Sequence, residues 1–286
     1  MRFATFRTHQ GQSWGAADGD AIADLGAFVG FADLKSALAA GALSKMAAYM
    51  ARAPHYALAD IEWLPVIPNP EKILCIGLNY HTHLQETARQ ESAHPTIFAR
   101  YSNSQTAHGA NLLRPRVSFD LDFEGELAVI IGTAGRYISE ASAMAHVGGY
   151  ACYNDGSLRD WQRHTQQFTP GKNFPETGAF GPWMVTPDEV GAVDKLRLQT
   201  RVNGQIMQGA FVGQLIFKIP YLINYCSQFT RLEPGDVIVT GTPGGVGFKR
   251  QPPFYLKPGD VVEVEIDNVG LLRNGVADES FTEKPR

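Results

Sequence analysis

The 286-residue chain is poor in cysteine, carries no surplus of positive charge and has no long apolar run. Cys75, Cys152 and Cys226 are too few and too scattered for a disulfide framework or a cysteine zinc site, and each is expected to be a buried thiol. A net charge of −4 and a pI near 6.1 give no reason to expect nucleic-acid binding. No segment approaches the length of a membrane span, and the opening residues Met1 to Arg7 lack the apolar centre of a signal peptide. The cytoplasm is therefore the expected compartment, with neither nucleic acid nor membrane as a partner. The glycine-dense run Thr240 to Gly247 lacks the Gly-Lys-Ser/Thr of a P-loop and does not fit the dinucleotide glycine fingerprint.

What is present is the composition of a globular protein, 44% hydrophobic, with length enough for one large domain or one large and one small. Its most informative stretch is Ser118 to Gly132. Asp120, Asp122, Glu124 and Glu126 alternate with Phe119, Leu121, Phe123, Leu127 and Val129, a period of two that predicts a strand with acids on one face and apolar residues on the other. Acids aligned on one face repel unless neutralised, and a divalent cation is the simplest remedy. Residues i and i+2 lie roughly 6.6 Å apart along a strand, so two carboxylates can lean onto one ion while a third ligand must come from elsewhere. Gly125 strips a side chain from the opposite face and permits close approach of another segment, which favours Glu124 and Glu126 as the metal pair. A solvated polar face of an edge strand would show the same alternation.

Other candidates are weaker when taken singly. In a helix over 80–90, His83 and Glu86 share a face at i and i+3, and a carboxylate beside an imidazole makes a general base. A surface histidine is the plainer reading. Asp155 ends a strand over 147–154 just before a helix, a place for a third metal ligand or for an ordinary helix N-cap. Lys172 stands in an irregular Gly/Pro-rich loop over 169–182, where a lysine is usually solvated unless the loop folds over a pocket. Thr242 and the backbone N–H groups of its glycine turn could meet an anion, or form a plain turn.

Residues 1–66 read as a small leading unit, a strand hairpin followed by an Ala/Leu-rich helical stretch broken near Gly41. Pro65, Pro68 and Pro70 make a stiff passage into the main domain, 67–286. Within that domain short strands dominate. Asn203-Gly204 signals a hairpin, 217–229 one helix with Pro220 in its first turn, and the repeated Pro-Gly-Asp of Pro234 to Asp236 and Pro258 to Asp260 two turns feeding strands. Residues 279–286 are polar and expected to be loose.

Taken in order, Gly77-x-Asn79-Tyr80-x-x-His83-x-x-Glu86, Asp122-Phe123-Glu124-Gly125-Glu126-Leu127, Asn154-Asp155-x-Ser157-x-Arg159-Asp160-x-Gln162, Gly171-Lys172, Gly181-Pro182-Trp183 and Gly241-Thr242-Pro243-x-Gly245-Val246-Gly247 resemble the fumarylacetoacetate hydrolase family over about residues 70–280. The resemblance implies a mixed, β-rich (α+β) fold, a β-roll of packed sheets with a few helices behind a small N-terminal α/β domain, and a homodimer. It implies Mg²⁺ or Mn²⁺ (Ca²⁺ in some members) on Glu124, Glu126 and Asp155. It further implies a His83–Glu86 dyad on a lid, Lys172 in the pocket, substrate contacts from Arg159 and Gln162, and Thr242 at a substrate carboxylate. Many relatives have a lysine after the strand where this chain reads Phe98-Ala99-Arg100-Tyr101; Arg100 in that place would keep the charge and change the shape. The expected activity is metal-dependent hydrolysis of a C–C bond in a 2,4-dioxo acid, an acylpyruvate such as fumarylpyruvate or maleylpyruvate, in aromatic-compound catabolism. Decarboxylation of an oxaloacetate-type acid and hydration or isomerisation of a 2-oxo-alkenoate use the same metal chemistry. A non-catalytic metal-binding scaffold is the reading from another class.

Overall fold

A computed structural model describes residues 1–280; residues 281–286, most of the tail expected to be loose, lie outside the described residues. Two large sheets carry the chain. The first has twelve strands, and its central path runs His55–Ala57, Ala21–Asp24, Gly11–Asp18, Arg2–Thr8, Gly178–Val185, Val147–Asn154, Gly125–Ile131, Val237–Val239, Ile73–Gly77, Thr96–Arg100. The second has five: Gln205–Phe211, Arg197–Val202, Val261–Ile266, Gly270–Asp278 and Asn111–Arg114. The fold is thus the expected sheet-rich, mixed one, and neither sheet closes into a barrel. The leading strands continue the main sheet through Arg2 opposite Val185 and Phe3 opposite Met184, and Phe3 and Trp14 share a core cluster with Ala128, Ile130 and Ala151.

Local chemistry explains the elements. Asn203 and Gly204 both take positive φ, 50° and 79°, the backbone a two-residue hairpin turn requires between Arg197–Val202 and Gln205–Phe211. The helix Ile219–Phe229 opens with Pro220 in its first turn, where no intrahelical N–H is needed. In the two Pro-Gly-Asp turns the aspartate accepts the N–H three residues back, Glu233 to Asp236 at 2.8 Å and Lys257 to Asp260 at 2.9 Å. Each turn then releases a strand. All three cysteines are buried and free, and burial pushes the thiols of Cys152 and Cys226 up to about 12.

The acidic stretch departs from one continuous strand. Leu121–Asp122 pairs with Ser157–Leu158, and the chain then crosses to the main sheet as Gly125–Ile131. The Asp122 carboxylate causes the break: Oδ1 accepts the N–H groups of Phe123 and Gly247, both at 2.8 Å, and thereby bends the backbone. Phe119, expected on the apolar face, lies before this break and is 70% exposed, with the Arg114 guanidinium over its ring. The solvated-edge reading of the acids also fails, since Asp122, Glu124 and Glu126 are all buried.

Gly125 permits the close approach expected of it. A Cβ there would lie 2.0 Å from Thr200 Oγ1 on the second sheet, so this glycine sets how closely the two sheets meet beneath the acids. Thr200 Oγ1 is itself buried without a hydrogen-bond partner. Gly125→Ala should therefore lower the unfolding free energy by about 1–3 kcal/mol in a urea titration. Thr200→Ala should be near neutral alone and recover much of that loss in the double variant. A double variant no more stable than Gly125→Ala would show that this contact does not set the sheet spacing.

Candidate metal centre and pocket

Strand register gathers the acids. Gly125 pairs with Asn154 and Glu126 with Tyr153, so the residue just past the second strand, Asp155, falls beside Glu124. Two bonds lock this: Asp155 N–H donates to the Glu124 carbonyl at 2.8 Å, and Glu124 N–H donates to Asn154 Oδ1 at 2.9 Å. Glu124, Glu126 and Asp155 each place a carboxylate oxygen within 4.8 Å of the others, and all three are buried. The N-cap alternative for Asp155 is overturned. The helix Arg159–Gln162 begins later, at Leu158, without a side-chain cap, while the Asp155 carboxylate receives Arg100 Nη1 and Lys172 Nζ, both at 2.6 Å.

Lys172 is not on a solvated loop. It ends the one-turn helix Thr169–Lys172, is 1% exposed, and also bonds Glu124 Oε2 at 2.7 Å. Arg159 reaches the other side of Glu124 at 2.6 Å, with Nε on Asp122 at 2.8 Å and Nη1 on Gln162 Oε1 at 2.9 Å. Its Nη2 is buried and has no partner. Arg100 is also buried, its Nη2 donating to Thr177 Oγ1 and its Nη1 to the Gly156 carbonyl as well as Asp155. The planar guanidinium thus braces one metal-site carboxylate from behind while its other N–H groups are held by Ser104, Gly156 and Thr177.

The glycine-dense turn behaves differently from expectation. Its N–H groups meet the protein's own carboxylates: Gly241 donates to Glu126, Gly245 to Glu86 at 2.8 Å, Gly247 and Phe248 to Asp122. Gly245 manages this at φ +107°, with the Met207 carbonyl 2.2 Å from where a Cβ would sit. The Thr242 hydroxyl donates to the Gly125 carbonyl at 3.0 Å and accepts from Gln208 Nε2 at 2.8 Å.

His83 and Glu86 lie on the helix His81–Thr87, and His83 Nδ1 is 2.6 Å from Glu86 Oε1. With Nδ1 committed to a carboxylate, Nε2 is the basic nitrogen. His83, Glu124, Glu126, Arg159, Lys172 and Thr242 line one cavity of about 190 Å³, closed on its other sides mainly by Phe98, Phe168 and Phe248. Gln162 also borders it, whereas Glu86 and Asp155 stand behind, bonded to residues that do. A larger cleft of about 890 Å³, bordered by Arg2, Trp183 and Glu265, contains none of these groups. The residues that sequence reasoning left without a role are Asp122, which anchors Arg159 and the glycine turn, and Gln208, which holds Gly125 N–H and Thr242. Asp122 stood in the acidic alternation, but nothing in its spacing distinguished an anchor from a ligand.

The electrostatics suit a divalent cation. Burial opposes ionisation of Glu124, yet the neighbouring Lys172, Arg159 and His83 hold its carboxyl down to about 2. No cation among the described residues is bonded to Glu126. Burial, together with Asp155 and Glu124 alongside, raises it well above the ordinary carboxylate range, and the Lys172 charge and the Gly241 N–H only partly offset this. Four buried acids, Asp122, Glu124, Glu126 and Asp155, face three buried cations, Arg100, Arg159 and Lys172. An all-oxygen donor set with an excess negative charge fits a hard ion such as Mg²⁺ or Mn²⁺.

Sheets packed over buried carboxylates beside a His–Glu pair define a sheet-rich fold with a candidate metal centre. The fumarylacetoacetate hydrolase C-terminal family profile matches residues 72–277, and the chain belongs to this family of enzymes. It is 40% identical over 220 residues to the mitochondrial oxaloacetate tautomerase FAHD2A of Bos taurus, covering 76% of this chain and 70% of that protein. A fumarylacetoacetate hydrolase from Exiguobacterium antarcticum superposes with TM-score 0.87 at 31% identity, covering 98% of this chain and 100% of that one. Maleylpyruvate hydrolase from Sphingobium sp. SYK-6, solved with manganese(II) and pyruvate, superposes with TM-score 0.83 at 27% identity and the same coverage.

The raised Glu126 makes the metal-free protein pH-sensitive. A carboxyl that stays protonated in the folded state beyond its unfolded value of 4.5 contributes stability at low pH that is lost as pH rises through the folded value. In EDTA, the melting temperature should therefore decline as pH rises above the ordinary carboxylate range. Glu126→Gln should flatten that decline, and excess Mg²⁺ should remove it in the wild type. Identical pH profiles for wild type and Glu126→Gln in EDTA would show that Glu126 is ionised without metal.

Proposed function

We propose that the protein is a divalent-metal-dependent enzyme that enolises a small 2-oxo acid, with keto–enol tautomerisation of oxaloacetate as its reaction. One observation carries this: Glu124 and Glu126 of a buried three-carboxylate cluster border the same small cavity as His83, with Asp155 and Glu86 bonded just behind its walls. The volume, well under that of a typical drug-sized pocket, suits a compact acid. A Mg²⁺ or Mn²⁺ ion held by Glu124, Glu126 and Asp155 would polarise the 2-oxo group as a Lewis acid. His83 takes the proton from the carbon beside the keto group through Nε2, and Glu86 fixes the tautomer and stabilises the imidazolium. Lys172 and the unpartnered Nη2 of Arg159 are the cationic donors for the oxygen that gains charge, with Gln162 holding the Arg159 fork in place. Thr242 lines the same cavity, its hydroxyl proton held by the Gly125 carbonyl.

Likeness to an oxaloacetate tautomerase at 40% identity supports this reaction over acylpyruvate hydrolysis. Hydrolysis of a 2,4-dioxo acid is the second reading. The same His83 nitrogen would activate a water for attack on the distal carbonyl, and the likeness to maleylpyruvate hydrolase favours it. A homodimer is part of the proposal, inherited from the family resemblance, and the cytoplasm is kept as the compartment expected from the sequence.

The test offers oxaloacetate, fumarylpyruvate and maleylpyruvate side by side with Mg²⁺ or Mn²⁺ and follows the enol and diketo absorbances, with an EDTA control. Chelator-sensitive acceleration of the oxaloacetate keto–enol exchange should be seen. His83→Ala should lower kcat by about 10²–10⁴-fold, and Glu124→Ala should abolish the metal response. Loss of diketo-acid absorbance with release of pyruvate would establish the hydrolase instead. Activity that survives Glu124→Ala would refute the metal assignment.

A further inference from the structure

The pocket is charged in two layers. On its floor the cations Arg159 and Lys172 are committed to Asp122, Glu124 and Asp155. At its mouth stand Arg89, Arg163 and Lys249, and the only acids bordering the cavity are Glu124 and Glu126 below them. Arg163 is tied back: its Nε donates to the Arg159 carbonyl at 2.9 Å, and its nearest carboxylate, Asp120, is 3.9 Å away. Arg89 and Lys249 are exposed and have no ion-pair partner among the described residues.

Their backbones are nonetheless fixed. Arg89 closes the helix that carries the His83–Glu86 pair, its N–H donating to the Leu84 carbonyl at 3.0 Å. Lys249 ends the short turn Gly247–Lys249, whose first two N–H groups are held by the Asp122 carboxylate, and its ammonium lies 5.3 Å from the Phe248 ring centroid. Two unpaired cations thus come from the two segments that frame the cavity entrance, with the Phe248 ring between floor and rim.

We infer that Arg89 and Lys249 form a subsite for a second, distal carboxylate, which makes the enzyme selective for dicarboxylic over monocarboxylic 2-oxo acids. The inference rests on the proposed function, which seats the 2-oxo carboxylate end at the floor. A diacid then presents its other carboxylate to Arg89 and Lys249, the pocket-lining cations with no carboxylate partner among the described residues. Such solvent-exposed pairs are individually weak, so the two together give a preference of roughly three- to tenfold, screened by salt.

The experiment compares kcat/KM for oxaloacetate and for its 4-methyl ester, which keeps the 2-oxo acid and loses the distal charge. It does so in wild type and in Arg89→Gln/Lys249→Gln, at low and at high ionic strength. In the wild type the diacid should be preferred, and the preference should shrink at high salt. In the double variant the diacid-to-ester ratio should fall roughly three- to tenfold, through KM and not kcat. A ratio that the double variant leaves intact, or a fall in kcat for both substrates together, would overturn the subsite while the enzymatic reading stands. If the wild type turns over neither compound, that reading fails and the subsite falls with it.

Discussion

Charge balance in a buried space is the constraint on which the site depends. Isolated carboxylates cannot be kept ionised out of water without partners, and here four of them share one interior. Three cations answer most of that charge, each by a different route. Arg100 comes from the far edge strand of the main sheet, Arg159 from the turn after Ser157–Leu158, and Lys172 from a single helical turn. Removing any one would leave an uncompensated buried acid, so the elements that carry them are held in place by the same pairs they serve. The excess negative charge falls on Glu126, which receives only a backbone N–H.

The glycine-dense segment supplies the rest of the order. Its amides reach Glu126, Glu86 and Asp122, which belong respectively to the metal cluster, the base and the Arg159 anchor. One turn therefore sets the relative positions of three functional units through directional bonds. Side chains at these glycines would prevent it, since at Gly245 the Met207 carbonyl already fills the space. The turn's amides could have bound an outside anion; the protein spends them on its own.

Parts of this were readable from residues alone. The two-residue period of Asp122, Glu124 and Glu126 singles out a set of neighbouring acids, though not the break in their strand, and the i, i+3 spacing of His83 and Glu86 puts them on one helix face, which depends only on local geometry. The structure brings Glu124, Glu126 and His83 to one cavity together with Lys172 and Arg159, with Glu86 and Asp155 bonded just behind. Less was readable wherever a partner lies far along the chain. A lone lysine among Gly171, Asn173 and Phe174 looks solvated until Glu124 and Asp155 are placed beside it. Asp122 resembles its neighbours until Gly247, 125 residues later, arrives at its carboxylate. Phe119 fits the alternation and yet sits outside, since periodicity cannot report where a strand is about to bend.

The parallel pairing of Val237–Val239 with Ile73–Gly77 joins segments that are far apart in the chain; the adjoining bond from Lys72 N–H to Asp236 spans 164 residues. A contact of that span is entropically expensive to close and tends to form late. Since the glycine turn follows directly on Val237–Val239, its amides reach Glu126 and Asp122 only once this long loop is shut. On the ribosome the acids would emerge well before the segment that organises them. Until it is made, the nascent chain lacks the amides that hold Glu126 and Asp122 in the folded site.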